Sequence, residues 1–135
     1  MDLCRGYLAC QQTGNCVIKD DVQEIMDEVL NADVVVWATP IYYYEMSGQM
    51  KTLLDRLNPL FTSNYSFRDI YMIATAAENE ESAFEKAYSG LKGWVDCFEK
   101  ARLKGIVFGG GIADADDAGN HEDIMRKAYK LGLSL

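Results

Sequence analysis

The sequence predicts an α/β protein with an open, three-layer sheet of parallel strands. Three short apolar runs, at residues 34–38, 70–74 and 106–108, are separated by segments with helical periodicity. Parallel strands need crossover connections of about a dozen residues or more, and each separating segment is long enough to supply one. The first run is apolar without alternation, which is typical of a strand buried on both faces. We therefore expect about three strands with helices on either side.

Two of the predicted helices lie before the first strand and at the end of the chain. Residues 20–30 carry apolar side chains at the spacing of one buried helical face, and Asp20 or Asp21 is placed to cap the first turn. Residues 121–131 repeat this apolar spacing. Gly132 follows them and is expected to be the C-cap residue of the last helix.

Two further helices are predicted between the strands. Ser47 is a good N-cap for a helix with apolar residues on one face, and Pro59 lies beyond its end. A long helix is expected over residues 80–100. Gly90 and Gly93 weaken that helix by about 1 kcal/mol each relative to alanine, so tertiary packing must stabilise it.

Composition and charge limit the classes of partner. Hydrophobic residues make up 49% of the 135 residues and charged residues 25%, as in a globular domain, so we expect a single domain over residues 1–135. The formal net charge is −8 and basic residues are not clustered, which argues against nucleic acid as a partner. No apolar run is long enough to cross a membrane, and the N-terminus lacks the regions of a signal peptide. We therefore expect a cytoplasmic protein.

Three loops follow the predicted strands, at residues 39–47, 75–79 and 109–120, and open parallel sheets bind ligands at this end. Thr39 and Pro40 are expected to end the first strand, and a run of tyrosines follows them. The tyrosines offer ring faces to a flat aromatic ligand. Composition by itself favours a second interpretation, in which the tyrosine side chains cover the edge of the sheet or pack against another subunit.

The third loop contains Gly109-Gly110-Gly111 and several acidic residues. The glycines permit close approach of a ligand to the backbone, or they provide a flexible exit from the strand. The acidic residues lack the spacing of a calcium loop and are interpreted as a solvated segment that caps the last helix. His121, the only histidine, has no nucleophile beside it in a known motif and is interpreted as a surface residue.

The cysteines form a C-x5-C-x5-C pattern at Cys4, Cys10 and Cys16, with Cys97 inside a predicted helix. Three thiolates on one loop offer ligands to zinc or to an iron–sulfur cluster, but both groups usually take four protein ligands. No Cys-x-x-Cys pair occurs, so a thioredoxin-like role has no support. Reduced structural thiols are the favoured interpretation.

Several motifs lie within the first 57 residues: the cysteine segment at residues 4–16, Lys19-Asp20-Asp21, residues 38–42, Met46-Ser47 and Asp55-Arg56. These motifs carry a resemblance to the flavodoxin-like NAD(P)H-dependent FMN reductase and iron–sulfur flavoprotein family. It weakens through the middle of the chain and returns at residues 108–111 and 128–132. Tyr7 stands where the cluster-binding relatives have their second cysteine.

This resemblance implies a flavodoxin-like fold that binds FMN and takes electrons from NAD(P)H. It places the loop after the first strand beside the isoalloxazine ring and the loop after the second strand on the other side. The cofactor-binding residues that it implies are Thr39, Pro40, Ile41, Tyr42, Tyr43, Thr75, Ala76 and Ala77. The flavin carries the redox chemistry in such enzymes, so no catalytic side chain and no metal ligand is nominated.

Relatives in this family begin with a strand, a phosphate-binding loop, a helix and a second strand, which this chain lacks, so we expect a sheet incomplete at the N-terminus. The first strand, at residues 34–38, is then expected to have an unpaired apolar edge, which a homodimer could cover. Three hypotheses remain open. The chain is an FMN-dependent NAD(P)H oxidoreductase or a truncated form of one, a non-catalytic remnant that associates with itself or a partner, or a three-cysteine metal or iron–sulfur module.

Overall fold

The computed structural model describes residues 1–135 and contains a four-stranded sheet with five α-helices. The strands are β1 (Val34–Tyr42), β2 (Glu45–Met46), β3 (Asp69–Ala76) and β4 (Arg102–Gly110). The helices are α1 (Cys10–Thr13), α2 (Val22–Asn31), α3 (Gly48–Arg56), α4 (Glu85–Asp96) and α5 (Glu122–Leu133). Short 3-10 turns lie at Asn58–Thr62, Glu81–Phe84 and Asp117–Asn120.

The sheet has the order β2-β1-β3-β4, and its three long strands are parallel. Trp37 of β1 lies beside Met72 of β3, which lies beside Ile106 of β4. This arrangement confirms the predicted open parallel sheet of an α/β fold. β2 is an addition to the prediction, because it returns antiparallel to β1 through a two-residue turn and pairs only with Ile41 and Tyr42.

The first strand is longer than predicted and is buried on one face only. Thr39 and Pro40 do not end it, since β1 continues to Tyr42 and Pro40 pairs in register with Thr75. Along β1, buried residues such as Trp37 alternate with exposed residues such as Val36, so the expectation of burial on both faces was wrong. Pro40 lies on the outermost long strand of the sheet, where the missing N–H is tolerated.

The core covers one face of the sheet. It joins Trp37 and Met72 to residues of α2, α3 and α4, such as Met26, Leu54 and Leu91. On the opposite face, a Cβ at Gly105 would contact Leu131 of α5 and one at Gly109 would contact Ile124, so α5 packs over β4. Because α5 covers only the β4 edge of the sheet, the face of β1 that points away from the core remains uncovered.

The structure confirms the predicted helix start at Ser47, and Asp20, one of the two residues expected to cap the first turn of α2, does so. Ser47 Oγ accepts a hydrogen bond from the backbone N–H of Met50 at 3.2 Å. Pro59 lies past the end of α3, in the following 3-10 turn. Asp20 Oδ1 accepts a hydrogen bond from Val22 N–H at 3.2 Å, whereas Asp21 occupies the N-cap position of α2 without a side-chain bond.

The two C-terminal helices differ from their predicted limits. The segment expected as one helix over residues 80–100 is a 3-10 turn followed by α4, which ends at Asp96. Gly132 is not a cap, because α5 continues through it to Leu133. The cap residue is instead Ser134, whose N–H and hydroxyl both donate to the Leu131 carbonyl, at 2.9 and 2.7 Å.

The outer edge of β1 is open over most of its length. Only Ile41 and Tyr42 have partners on the side opposite β3, so the edge from Val34 to Pro40 has no neighbouring strand. This agrees with the unpaired edge expected from the sequence. None of the helices has the length and apolarity needed to cross a bilayer.

Candidate functional site

A cavity of about 660 Å³ lies at the carboxyl ends of β1 and β3. Three chain segments form its walls: the end of β1 with the tyrosine turn, the end of β3 with the residues after it, and the loop after β4. Its lining residues are Pro40, Ile41, Tyr42, Tyr43, Tyr44, Thr75, Ala76, Ala77, Glu78, Ile112, Ala113, Asp114, Ala115 and Ala118. Ligand sites commonly have volumes of about 300–1,000 Å³, so this cavity has the size of a ligand site.

Seven of the eight residues expected to bind a cofactor line this cavity, namely all except Thr39. Thr39 is 4% exposed. Its Oγ1 donates a hydrogen bond to the Pro40 carbonyl at 2.9 Å and accepts one from Ser47 N–H at 3.0 Å. Thr39 therefore supports the turn from behind by joining β1 to the start of α3.

The tyrosine turn has an unusual backbone. Tyr43 and Tyr44 connect β1 to β2 and have φ angles of 51° and 68°. A two-residue hairpin turn with both central residues at positive φ is the type I′ arrangement, which normally selects Asn and Gly. Bulky residues in this conformation cost of order 1–3 kcal/mol each, and such strain is concentrated at functional sites. Tyr43 is also 98% exposed, so burial of its own ring does not offset the strain.

The glycines at the end of β4 contact protein rather than the cavity. A Cβ on Gly110 would lie 2.8 Å from Asn79 Cα, so this position requires glycine for close packing with the loop after β3. Gly111 has a φ of 74° and donates its N–H to the Glu78 carbonyl at 3.2 Å. Ile112 N–H donates to the Ala76 carbonyl at 2.8 Å. These contacts hold the second and third walls of the cavity together.

The acidic loop is organised by Asp117. Its Oδ2 accepts hydrogen bonds from the backbone N–H of Asp114 at 2.9 Å and of Ala113 at 3.0 Å. These bonds lower the pKa of Asp117 below its usual value. The interpretation of this run as a cap for the last helix was wrong for Asp117, because its carboxylate binds its own loop. His121 is half-buried, close to Gly111, rather than fully at the surface.

The loop after β4 contributes lining residues that were not nominated from the sequence: Ile112, Ala113, Asp114, Ala115 and Ala118. Tyr44 and Glu78 were also left out of the expected cofactor-binding residues, although both lie in loops that the sequence placed at the ligand-binding end of the sheet. The sequence did indicate that the loop after β4 could bind a ligand, because it follows the third predicted strand at the ligand-binding end of the sheet. Alanines carry no chemical signature, so their contribution depends on the folded chain.

The charged residues that line the cavity are acidic. Glu78 and Asp114 line it, and no lysine or arginine does. Lys86 is nearby, with Nζ 5.8 Å from the ring centroid of Tyr44. Apolar side chains and tyrosine faces fit the ring system of a flavin, but the lining offers no cation to an FMN phosphate.

The cysteine segment lies near the C-terminal end of α3. Cys4, Cys10 and Cys16 line a second, much smaller cavity of about 30 Å³, together with Tyr7 and Asn58. All the cysteines are free thiols. No three His, Cys, Asp or Glu side chains are arranged to hold a metal ion, and Tyr7 offers a phenol in place of a fourth thiol. This donor set does not fit a four-cysteine cluster.

Arg56 forms several hydrogen bonds with residues on either side of the cysteine segment. Its guanidinium, which is fully buried, donates to both carboxylate oxygens of Asp20 at 2.8 and 2.9 Å. It also donates to the Asp2 carbonyl at 2.7 Å and, more weakly, to the Ile18 carbonyl at 3.4 Å. The bond from Arg56, followed by that from the backbone N–H of Asp2, lowers the pKa of Asp20 far below its usual value.

Comparison with known proteins assigns the family. The profile of the family described as NADPH-dependent FMN reductase matches residues 1–89, and the chain belongs to this family. An "Iron-sulfur flavoprotein" of Archaeoglobus fulgidus is 39% identical over 44% of this chain and 27% of the relative. The "Putative NAD(P)H-dependent FMN-containing oxidoreductase YwqN" of Bacillus subtilis is 27% identical over 91% of this chain and 72% of the relative.

Solved structures show the same fold. The Trp repressor binding protein of Bacillus subtilis has a TM-score of 0.66 at 24% identity, over 80% of this chain and 68% of that protein. The NAD(P)H:quinone oxidoreductase of Methanothermobacter marburgensis has a TM-score of 0.63 at 16% identity, over 93% of this chain and 68% of that protein. The chain therefore has the flavodoxin-like fold of these proteins. The matches to the first two iron–sulfur flavoproteins span less than a third of their length, at 27% and 30%.

Proposed function

We propose that this chain acts in an FMN-dependent NAD(P)H oxidoreductase and that the ring system of FMN binds in the cavity at the carboxyl ends of β1 and β3. One observation carries the proposal: in a chain of the FMN reductase family, the tyrosine turn and the Thr75–Ala77 segment face a shared cavity of about 660 Å³. The strained backbone of Tyr43 and Tyr44 supports a functional role for the turn.

In this proposal the protein binds and orients the cofactor, and the flavin supplies hydride and electron transfer when bound. Tyr42 and Tyr43 provide aromatic surface on one side of the cavity. Thr75, Ala76 and Ala77 form the other side, where small side chains leave room for a flat ring. The lining is mainly apolar, and no side chain is assigned a proton-transfer step.

The proposal is tested by titrating the purified chain with FMN and following flavin fluorescence, with flavin retention after desalting as a second readout. Ala77→Trp places a large side chain in the cavity and is expected to weaken binding by about tenfold or more. Asn64→Trp adds the same side chain at an exposed position outside the cavity and should leave binding unchanged. NAD(P)H consumption is then measured in the FMN-bound protein.

Absence of binding in the wild-type chain would instead support the second hypothesis, in which the fold associates with itself or a partner without catalysis. A specific observation favours it: the cavity offers no cation to a phosphate.

We also propose that the chain forms a homodimer through the open edge of β1. Its support is that residues 34–42 contain no charged side chain, so two copies could pair there without like-charge repulsion.

A further inference from the structure

Two of the three cysteines that line the small cavity lie beside a polar side chain. These side chains come from the last residue of α3 and from the turn that follows it. Asn58 Nδ2 donates a hydrogen bond to Cys10 Sγ at 3.3 Å. This bond fixes the Cys10 sulfur against the end of α3. Cys10 is half-buried, so the contact is partly protected from water.

Cys16 lies beside the buried guanidinium of Arg56. The pKa of Arg56 is raised above its usual value by its hydrogen bond to Asp20 and, to a smaller extent, by its interaction with Cys16. Arg56 Nε is buried and has no hydrogen-bond partner, so this cation retains an unused donor. Thiols react with peroxides through the thiolate, and the positive charge of Arg56 can stabilise negative charge that develops on sulfur during such a reaction.

These contacts distinguish the pair from the other two thiols. Arg56 and Asn58 are two positions apart, and Cys10 and Cys16 both line the same cavity of about 30 Å³, so the two sulfurs lie close to one end of α3. Cys4 is exposed and has no side-chain hydrogen bond. Cys97 lies after α4, where its thiol donates to the Gly93 carbonyl at 3.4 Å.

We propose that Cys10 and Cys16 form a reversible dithiol–disulfide pair that is oxidised by hydroperoxides. The Cys16 thiolate attacks a peroxide oxygen, so that an S–O bond forms, the O–O bond breaks and hydroxide or alkoxide leaves. The Cys10 thiolate then attacks the sulfenic sulfur, an S–S bond forms and the second oxygen leaves as water after protonation. For hydrogen peroxide, two thiols lose two electrons and two protons, and two water molecules are produced.

The test treats the reduced full-length chain with hydrogen peroxide, counts the remaining thiols and maps the disulfide by peptide mass spectrometry under non-reducing conditions. We expect two of the four thiols to be lost, one Cys10–Cys16 linkage to appear, and dithiothreitol to restore both. Cys10→Ser should stop the reaction at a Cys16 sulfenic acid that dimedone traps. Cys97→Ser is the matched control and should still form the linkage.

A second variant separates the positioning of the Cys10 thiol from folding. Asn58→Ala removes the donor to Cys10 and is expected to slow disulfide formation severalfold, while the circular dichroism spectrum remains that of the wild type. The proposal is overturned if the linkage includes Cys4, if only intermolecular disulfides form, or if peroxide consumes no thiols. Iron and sulfide bound through these cysteines in anaerobically purified protein would also overturn it.

Discussion

Arg56 is the largest fully buried side chain of the protein, and its partner Asp20 belongs to a segment 36 residues earlier in the chain. Four hydrogen bonds from the guanidinium therefore join the residues on either side of the cysteine segment to α3. Removal of one partner from such a pair is costly, because the remaining charge has lost its compensation.

This ion pair predicts how stability depends on pH. Because the pKa of Asp20 is lowered in the folded state, its contribution is complete above the unfolded pKa of about 3.9 and is lost progressively as the pH falls below it. The difference in free energy of unfolding between wild type and Asp20→Asn, measured by urea denaturation, should be constant from about pH 5 to 8 and shrink below about pH 4. A difference that grows on acidification would contradict this assignment.

The strain at Tyr43 and Tyr44 gives a second prediction. The double substitution Tyr43→Asn with Tyr44→Gly supplies the residue types that a type I′ turn prefers. We expect the free energy of unfolding to rise by about 1 kcal/mol, because the cost of positive φ is relieved, while FMN affinity falls. The measurements are chemical denaturation and flavin titration.

Tyr129→Ala serves as the control for the turn variant, since it removes an exposed tyrosine from α5, away from the turn. It should not weaken FMN binding. If the turn variant were both more stable and equally good at binding FMN, the strain would have no connection with the ligand.

At the level of elements, the loops after β3 and β4 depend on one another. Gly110→Ala would place Cβ within 3 Å of the Asn79 backbone, which cannot yield as a flexible side chain would. We expect a loss of about 1–3 kcal/mol in the free energy of unfolding and weaker FMN binding, because residues 77–78 line the cavity next to Asn79. Thermal denaturation and flavin titration measure the two effects.

The matched control is Gly93→Ala in α4, where nothing lies within 4 Å of the new Cβ. This change should stabilise the protein by about 1 kcal/mol, because alanine is the better helix former. Equal destabilisation by both substitutions would show that close packing at Gly110 is not the cause.

For the whole molecule, the open edge of β1 leads to a prediction about assembly. The homodimer proposal requires a mass of twice 15.1 kDa in size-exclusion chromatography with light scattering at micromolar concentration. Val36→Lys places a charge on β1, at a position already 37% exposed, and should yield monomers. Val17→Lys, at an exposed position outside the sheet, should leave the dimer intact. A monomeric wild type would exclude the proposed pairing.

The sequence predicted features that depend on nearby residues. The apolar spacing of α2, the Ser47 cap of α3 and the order of strands and helices follow from local periodicity and capping. The position of the loops after the strands also located most of the cavity wall. The limits of α4 and β1 were less well predicted, because packing and pairing with other elements decide where they end.

Family membership and the α/β sheet could thus be inferred from the chain, since motifs and periodicity are properties of short segments. Tertiary structure decided which residues meet: the alanines after β4 complete the cavity, and Gly110 supports Asn79. It also placed Arg56 beside Asp20 and Cys16, and left one face of β1 uncovered. These contacts join residues far apart in sequence, and their energies depend on burial and distance, which exist only once the elements have packed together.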